Sequence, residues 1–227
     1  NVRGVIDHRR LPDGMPYLVM ELLHGESLAG RLRSRGRLAA ADVLRIGLQV
    51  CDALVAVHAA GVVHRDLKPS NIFLAVDGDD PAGAERVKIL DFGIARVEWE
   101  ETRITNMGAP LGTPGYMSPE QESGGVIDAR SDIFALGATL YECLVGEPPP
   151  PMAPSGVTRT AAPAPGALGP RFDWSHARVG GLVKPGWRAV IERAMAANPE
   201  DRFQDARAFA NALRELREEI AAKEAGS

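Results

Sequence analysis

The chain has 227 residues, 45% hydrophobic and 25% charged, with a formal net charge of −4 from 26 basic and 30 acidic side chains. That composition is ordinary for a globular protein of one large domain or two small ones, and without a Lys/Arg stripe it leaves no basic field for a nucleic-acid backbone. Two cysteines, Cys51 and Cys143, are too few for a disulfide framework. No run approaches the ~18 apolar residues of a membrane span and no signal peptide opens the chain, so a cytoplasmic location is expected.

Residues 1–23 read as two strands, Val2–Asp7 and Pro16–Glu21, joined by the turn Leu11-Pro12-Asp13-Gly14. A short helix is expected over Ser27–Arg35, with Ser27 as N-cap and Gly36 at its end. From Ala40 to Ala60, Val43, Ile46, Val50, Leu54 and Val57 recur at three- and four-residue intervals, one buried face of a long helix closed by Gly61. Val62-Val63, Ile72–Val76 and Val87–Leu90 read as short extended pieces, with a polar insert over Asp77–Arg86. Residues 91–120 show no sustained periodicity, and a loop that long in a compact domain is usually functional or disordered.

Ile133–Val145 is apolar on most sides and belongs at the centre of the domain. Residues 147–170 carry most of the prolines and read as an extended connector. Two helices close the chain, about Gly186–Ala197 and Asp205–Ala222, the second with a stripe of Phe209, Leu213, Leu216 and Ile220.

Three motifs carry chemistry: His64-Arg65-Asp66-Leu67-Lys68-Pro69-Ser70-Asn71 between short strands, Asp91-Phe92-Gly93 after a strand, and Gly112-Thr113-Pro114-Gly115-Tyr116-Met117-Ser118-Pro119-Glu120 ending the long loop. Phosphoryl transfer needs a carboxylate for the proton of the attacking hydroxyl, a cation near the phosphate, and hard oxygen ligands for a divalent metal. Asp66 supplies the carboxylate, Lys68 the cation, and Asn71 with Asp91 the metal ligands. Gly93 lends backbone freedom to a metal-binding turn.

These motifs, in this order, resemble the eukaryotic-type (Hanks-type) serine/threonine protein kinases, and the resemblance spans about residues 1–222. It implies an α+β, protein-kinase-like fold: a mainly helical C-lobe over 24–222 and a remnant of the N-lobe antiparallel sheet with the hinge over 1–23. Residues 91–120 would be the activation segment and 223–227 a tail. It implies ATP and Mg²⁺ as cofactors and proteins bearing Ser or Thr as substrates. Asp66 would be the catalytic base, Lys68 would neutralise the γ-phosphate, and Asn71 and Asp91 would hold Mg²⁺. Met20 resembles the gatekeeper, Glu21 to Leu23 the hinge that receives adenine, and Phe73 the floor beneath the ring.

Lys68 within its Leu-Lys-Pro-Ser-Asn run and Thr113 are the serine/threonine-specific form. Arg65 implies control by loop phosphorylation, with Thr102 and Thr105 as candidate acceptors. Structural roles fall to His64, Phe92, Gly93, a Glu120–Arg202 pair, and Asp132 holding the catalytic-loop backbone. Pro199-Glu200-Asp201-Arg202-Phe203 and Ser118-Pro119-Glu120-Gln121 look bacterial.

The family's glycine-rich loop and ATP-binding strand lysine have no counterpart here, so the 227 residues alone are expected to be inactive or weak. An in-frame upstream sequence carrying both would mark a truncated enzyme. A nearby stop would favour a non-catalytic C-lobe that binds partners. A metal-dependent phosphatase built on Asp66 and Asp91 would need histidine ligands, and the five histidines are not suitably clustered. Substrate identity, activating signal and oligomeric state are not legible.

Overall fold

The computed structural model describes residues 2, 4–76, 85–91, 115–149, 174 and 183–225. Its architecture is α+β, mainly helical with two small antiparallel sheets. Strands β1 (Val5–Arg10) and β2 (Pro16–Met20) form a hairpin. Its turn closes as the residue types demand: Gly14 sits at φ 88° and donates to the Leu11 carbonyl at 2.8 Å. The strands run Val5–Arg10 rather than Val2–Asp7, and end at Met20 rather than Glu21. The hairpin faces solvent, with Ile6 69% and Leu18 53% exposed.

The second sheet has the order β3 (Gly25–Ser27), β4 (Ile72–Val76), β5 (Glu85–Ile89). Strand β3 is absent from the sequence reading. It pairs with β4 through Gly25, at φ 136°, where a Cβ would lie 2.0 Å from the Leu74 carbonyl oxygen. Strand β5 starts at Glu85, so the polar insert ends earlier than Arg86. Val62 and Val63 form no strand. The Val62 N–H instead donates to the Val57 carbonyl at 3.2 Å and Gly61 takes φ 74°, a left-handed helix ending that uses the donor a strand would need.

Helix α1 (Leu28–Arg35) starts where Ser27 Oγ accepts from the Gly30 N–H and stops at Gly36. Helix α2 (Ala40–Ala59) buries Val43, Ile46, Val50 and Leu54 completely. Helix α3 (Pro119–Ser123) begins in the last two residues of the segment expected as loop and runs on into residues given no element; a Ser118–Gln121 capping box and Pro119 at its first position start it. Helix α4 begins four residues earlier than expected (Ala129–Val145), because Asp128 accepts from the Arg130 N–H as N-cap. It is the buried centre of the fold. Helices α5 (Pro185–Ala194) and α6 (Ala206–Ala225) pack around it, and α2 lies along α6 and α4. Phe209, Leu213 and Leu216 of α6 are buried and Ile220 packs against the same core. Both cysteines are buried free thiols, pushed up by burial and thus unreactive.

Candidate active site

The sheet and α4 meet at the loop His64–Asn71, and backbone chemistry explains its shape. Arg65 holds φ 65°, a conformation worth roughly 1–3 kcal/mol of strain for a non-glycine residue. Such strain persists only where the surroundings fix it. Here Asp132, 1% exposed on α4, accepts from the His64 N–H at 2.8 Å and the Arg65 N–H at 2.9 Å. His58, at the end of α2, brings Nε2 to the same carboxylate at 2.8 Å.

Within the loop, Asp66, Lys68 and Asn71 converge. Lys68 Nζ is 3.1 Å from Asp66 Oδ2. The Asn71 amide nitrogen donates to the Asp66 carbonyl at 2.8 Å and to Asp66 Oδ2 at 3.2 Å. Those bonds consume the amide's donors and leave Oδ1, a hard oxygen that Ser70 Oγ approaches at 3.4 Å, as its acceptor. The turn Pro69–Asn71 closes the loop through a 2.9 Å bond from the Asn71 N–H to the Lys68 carbonyl.

The strand before Asp91 is tied to this loop twice. The Leu90 N–H donates to the Asn71 carbonyl at 2.8 Å. His64 Nε2 meets the Leu90 carbonyl at 2.9 Å, while its Nδ1 accepts from the Asp66 N–H at 3.2 Å. Nδ1 is therefore the bare nitrogen and Nε2 carries the proton, an assignment that follows from the partners. His64 is fully buried and acts as a bridge between the two backbones, not as an exposed base. Asp91 follows directly, exposed and at φ 49°.

Around the candidate hinge, Phe73 pairs in register with Lys88, and Lys88 Nζ reaches Glu21 Oε1 at 2.9 Å and Oε2 at 3.1 Å. Glu21 also accepts from the Gly4 N–H at 2.7 Å, and its own N–H donates to the Gly4 carbonyl. Met20, Leu23 and Phe73 are all half-buried. Lys88, which the sequence reading passed over, links the hinge candidates to the strand that leads to Asp91. His58 was missed as well; its clue was the helix end six residues before His64.

Glu120 and Arg202 meet across 82 positions of sequence. Arg202 donates from Nη1 to Oε1 at 2.7 Å and from Nη2 to Oε2 at 2.8 Å, a bidentate pair in which Arg202 is fully buried. Burial pushes the Glu120 carboxyl up, but hydrogen bonds from Arg202 and from Ser131 Oγ outweigh it and hold it at about 2. Arg202 also stacks over Phe134. Tyr116 hydrogen-bonds Glu142 of α4, anchoring the chain just before α3.

Phe92, Gly93, Thr102, Thr105 and Thr113 lie outside the described residues. Among the described residues no three His, Cys, Asp or Glu side chains cluster as a metal site. One amide and one carboxylate oxygen nevertheless suit Mg²⁺, which commonly takes one or two carboxylates, waters and substrate phosphate oxygens. Cavities of about 270 Å³ (Arg37, Leu38, Leu144) and 320 Å³ (Asp52, Arg207, Arg214) lie elsewhere.

Comparison with known proteins gives this geometry its context. The protein kinase domain family matches residues 7–204. Serine/threonine-protein kinase Pkn1 of Myxococcus xanthus is 40% identical over 217 residues, which cover 94% of this chain and 29% of Pkn1. PknL of Mycobacterium tuberculosis is 38% identical over 212 residues, 92% of this chain and 49% of PknL. The crystal structure of the M. tuberculosis PknI kinase domain superposes with a TM-score of 0.66 at 28% identity, covering 94% of this chain and 71% of that one. The chain spans less than a third of Pkn1 and about half of PknL. With its protein-kinase fold, it belongs to the protein kinase family, in the Hanks-type serine/threonine branch with bacterial relatives.

Proposed function

We propose that the chain carries the phosphotransfer loop of a protein serine/threonine kinase, moving the γ-phosphate of ATP to Ser or Thr hydroxyls of proteins. The observation that carries this is the convergence of Asp66, Lys68 and Asn71 on one loop, tied by His64 and Asn71 to the residue before Asp91. Asp66 accepts the proton of the attacking hydroxyl. Lys68, paired with Asp66 in this structure, neutralises charge on the transferred group. Asn71 Oδ1 and the Asp91 carboxylate would hold Mg²⁺, which when bound offsets phosphate charge.

Glu21 and Leu23 offer hinge backbone to adenine, Phe73 its floor, and Met20 a wall. Arg65 would clamp a phosphate placed on Thr102 or Thr105. In this reading residues 1–23 belong to the N-lobe sheet and hinge, 24–222 are the C-lobe, 91–120 are the activation segment and 147–170 a connector.

The test expresses the protein from its full coding frame, supplies Mg·ATP and a generic protein substrate, and follows phosphoryl groups by intact mass. An Asp66→Asn variant runs alongside. The expected result is incorporation on Ser and Thr that disappears in the variant. Incorporation that survives Asp66→Asn, or none in the unaltered protein, would overturn the assignment.

A further inference from the structure

The peptide between Arg65 and Asp66 places the catalytic carboxylate, and its partners come from different parts of the chain. Its N–H end donates to His64 Nδ1 at 3.2 Å. Its carbonyl end accepts from Gln121 Nε2 at 2.8 Å, across 56 positions of sequence. Gln121 belongs to α3, where its Oε1 accepts from the Ser118 N–H and Ser118 Oγ, both at 3.1 Å. One amide side chain therefore starts α3 with its oxygen and grips the catalytic loop with its nitrogen.

The grip falls where it matters. Arg65 is the strained, left-handed residue of the loop. Asp132 holds its N–H at 2.9 Å, and Gln121 holds its carbonyl. Ser118 is fully buried, so the cap that orients Gln121 is sheltered from water. Gln121 sits next to Glu120, which Arg202 clamps from both nitrogens, so the backbone carrying Gln121 is fixed. A side chain held on both flanks transmits the position of α3 to the Arg65–Asp66 peptide.

We propose that Gln121 is a positioning residue for Asp66, coupling the start of α3 to the catalytic peptide; this rests on the kinase reading above. Nothing passes to or from Gln121 chemically. It fixes the plane of the peptide that carries Asp66, and a small misplacement of a catalytic group costs up to about 100-fold in rate.

Gln121→Glu separates its two roles. A carboxylate keeps the acceptors for Ser118, since Glu is itself a capping-box residue, but sets an oxygen against the Arg65 carbonyl. Gln121→Ala removes both roles. The readouts are site-resolved amide hydrogen exchange of the full-length protein and steady-state kinetics.

In Gln121→Glu, exchange at the Asp66 amide should quicken while core amides of α2 and α4 keep their protection. kcat should fall about 10- to 100-fold with KM for ATP retained. Unchanged exchange at Asp66 would overturn the proposal, as would faster exchange with unchanged kcat. Acceleration spread evenly through the core would make Gln121 a folding residue only and also overturn it. If the unaltered protein transfers no phosphate, the kinase reading fails by itself, and exchange at Asp66 still decides whether Gln121 fixes that peptide.

Discussion

Asp132 shows how much one buried carboxylate can organise. Its two oxygens take the N–H groups of His64 and Arg65 and the imidazole of His58, all within 2.9 Å. Asp132→Asn keeps the volume but replaces one oxygen with an N–H group that faces other donors. A charge-assisted hydrogen bond is worth about 1.5–3 kcal/mol, so the variant should lose about 3 kcal/mol of stability by urea unfolding. On the proposed kinase reading, phosphate transfer should fall more than stability explains, because Arg65 relaxes from its strained conformation. Wild-type stability would show that the carboxylate holds nothing.

The residue chemistry of this site was largely written in short motifs, since Asp66, Lys68 and Asn71 lie within six consecutive positions. His58, Lys88 and Gln121 were not legible. Their roles depend on partners 74, 67 and 56 positions away, and a polar side chain on a helix or strand looks the same whether it meets water or a buried acceptor.

At the scale of elements, periodicity revealed α2 and α6 because each buries one stripe, while α1 was marked by its caps, Ser27 and Gly36. Strand β3 escaped because it is three residues long and pairs through a glycine; α3 escaped because five residues carry no periodicity, only a cap. Helix α4 hides a packing constraint of the same kind. A Cβ on Gly137 would lie 2.8 Å from Ala194 Cβ and 2.9 Å from Met195 Cγ, where α4 crosses the end of α5. Alanine normally stabilises a helix interior by about 1 kcal/mol over glycine, while overpacking a full core costs about 1–3 kcal/mol. Both contacts are shorter than side chains tolerate, and Ala194 and Met195 are themselves buried. Packing wins, and Gly137→Ala should lower the urea midpoint; a raised midpoint would mean α5 can shift away freely.

Across the whole molecule, ion pairs join elements that are distant in sequence. Arg31 on α1 and Arg45 on α2 both reach Glu85 at the start of β5. Glu120 joins α3 to the turn before α6 through Arg202, and Arg130 on α4 bonds Asp128 and Glu200. The Arg31 hydrogen bond, aided by Arg45 and opposed by burial, holds Glu85 below the usual carboxylate range. The Arg130 side chain does the same for Asp128.

A carboxylate whose folded value is depressed contributes stability above its unfolded value and loses it as pH falls. For Glu120 the window runs from about 4.5 down to about 2. Its side chain is 11% exposed, and at about 1.36 kcal/mol per pH unit that group alone accounts for roughly 3 kcal/mol. Glu122 and Glu142 run the other way. Burial raises both, against a weaker opposing bond from Tyr116 at Glu142, so they favour the folded state when protonated and take that back as pH rises through their folded values. The paired carboxylates outnumber them below pH 4.5, so unfolding free energy should climb between pH 2 and pH 5. Glu120→Gln should flatten that climb by about one proton's worth while lowering stability at pH 7, because Arg202 then sits buried without its counter-charge. A variant with the wild-type slope would show that the Glu120–Arg202 pair does not govern acid stability.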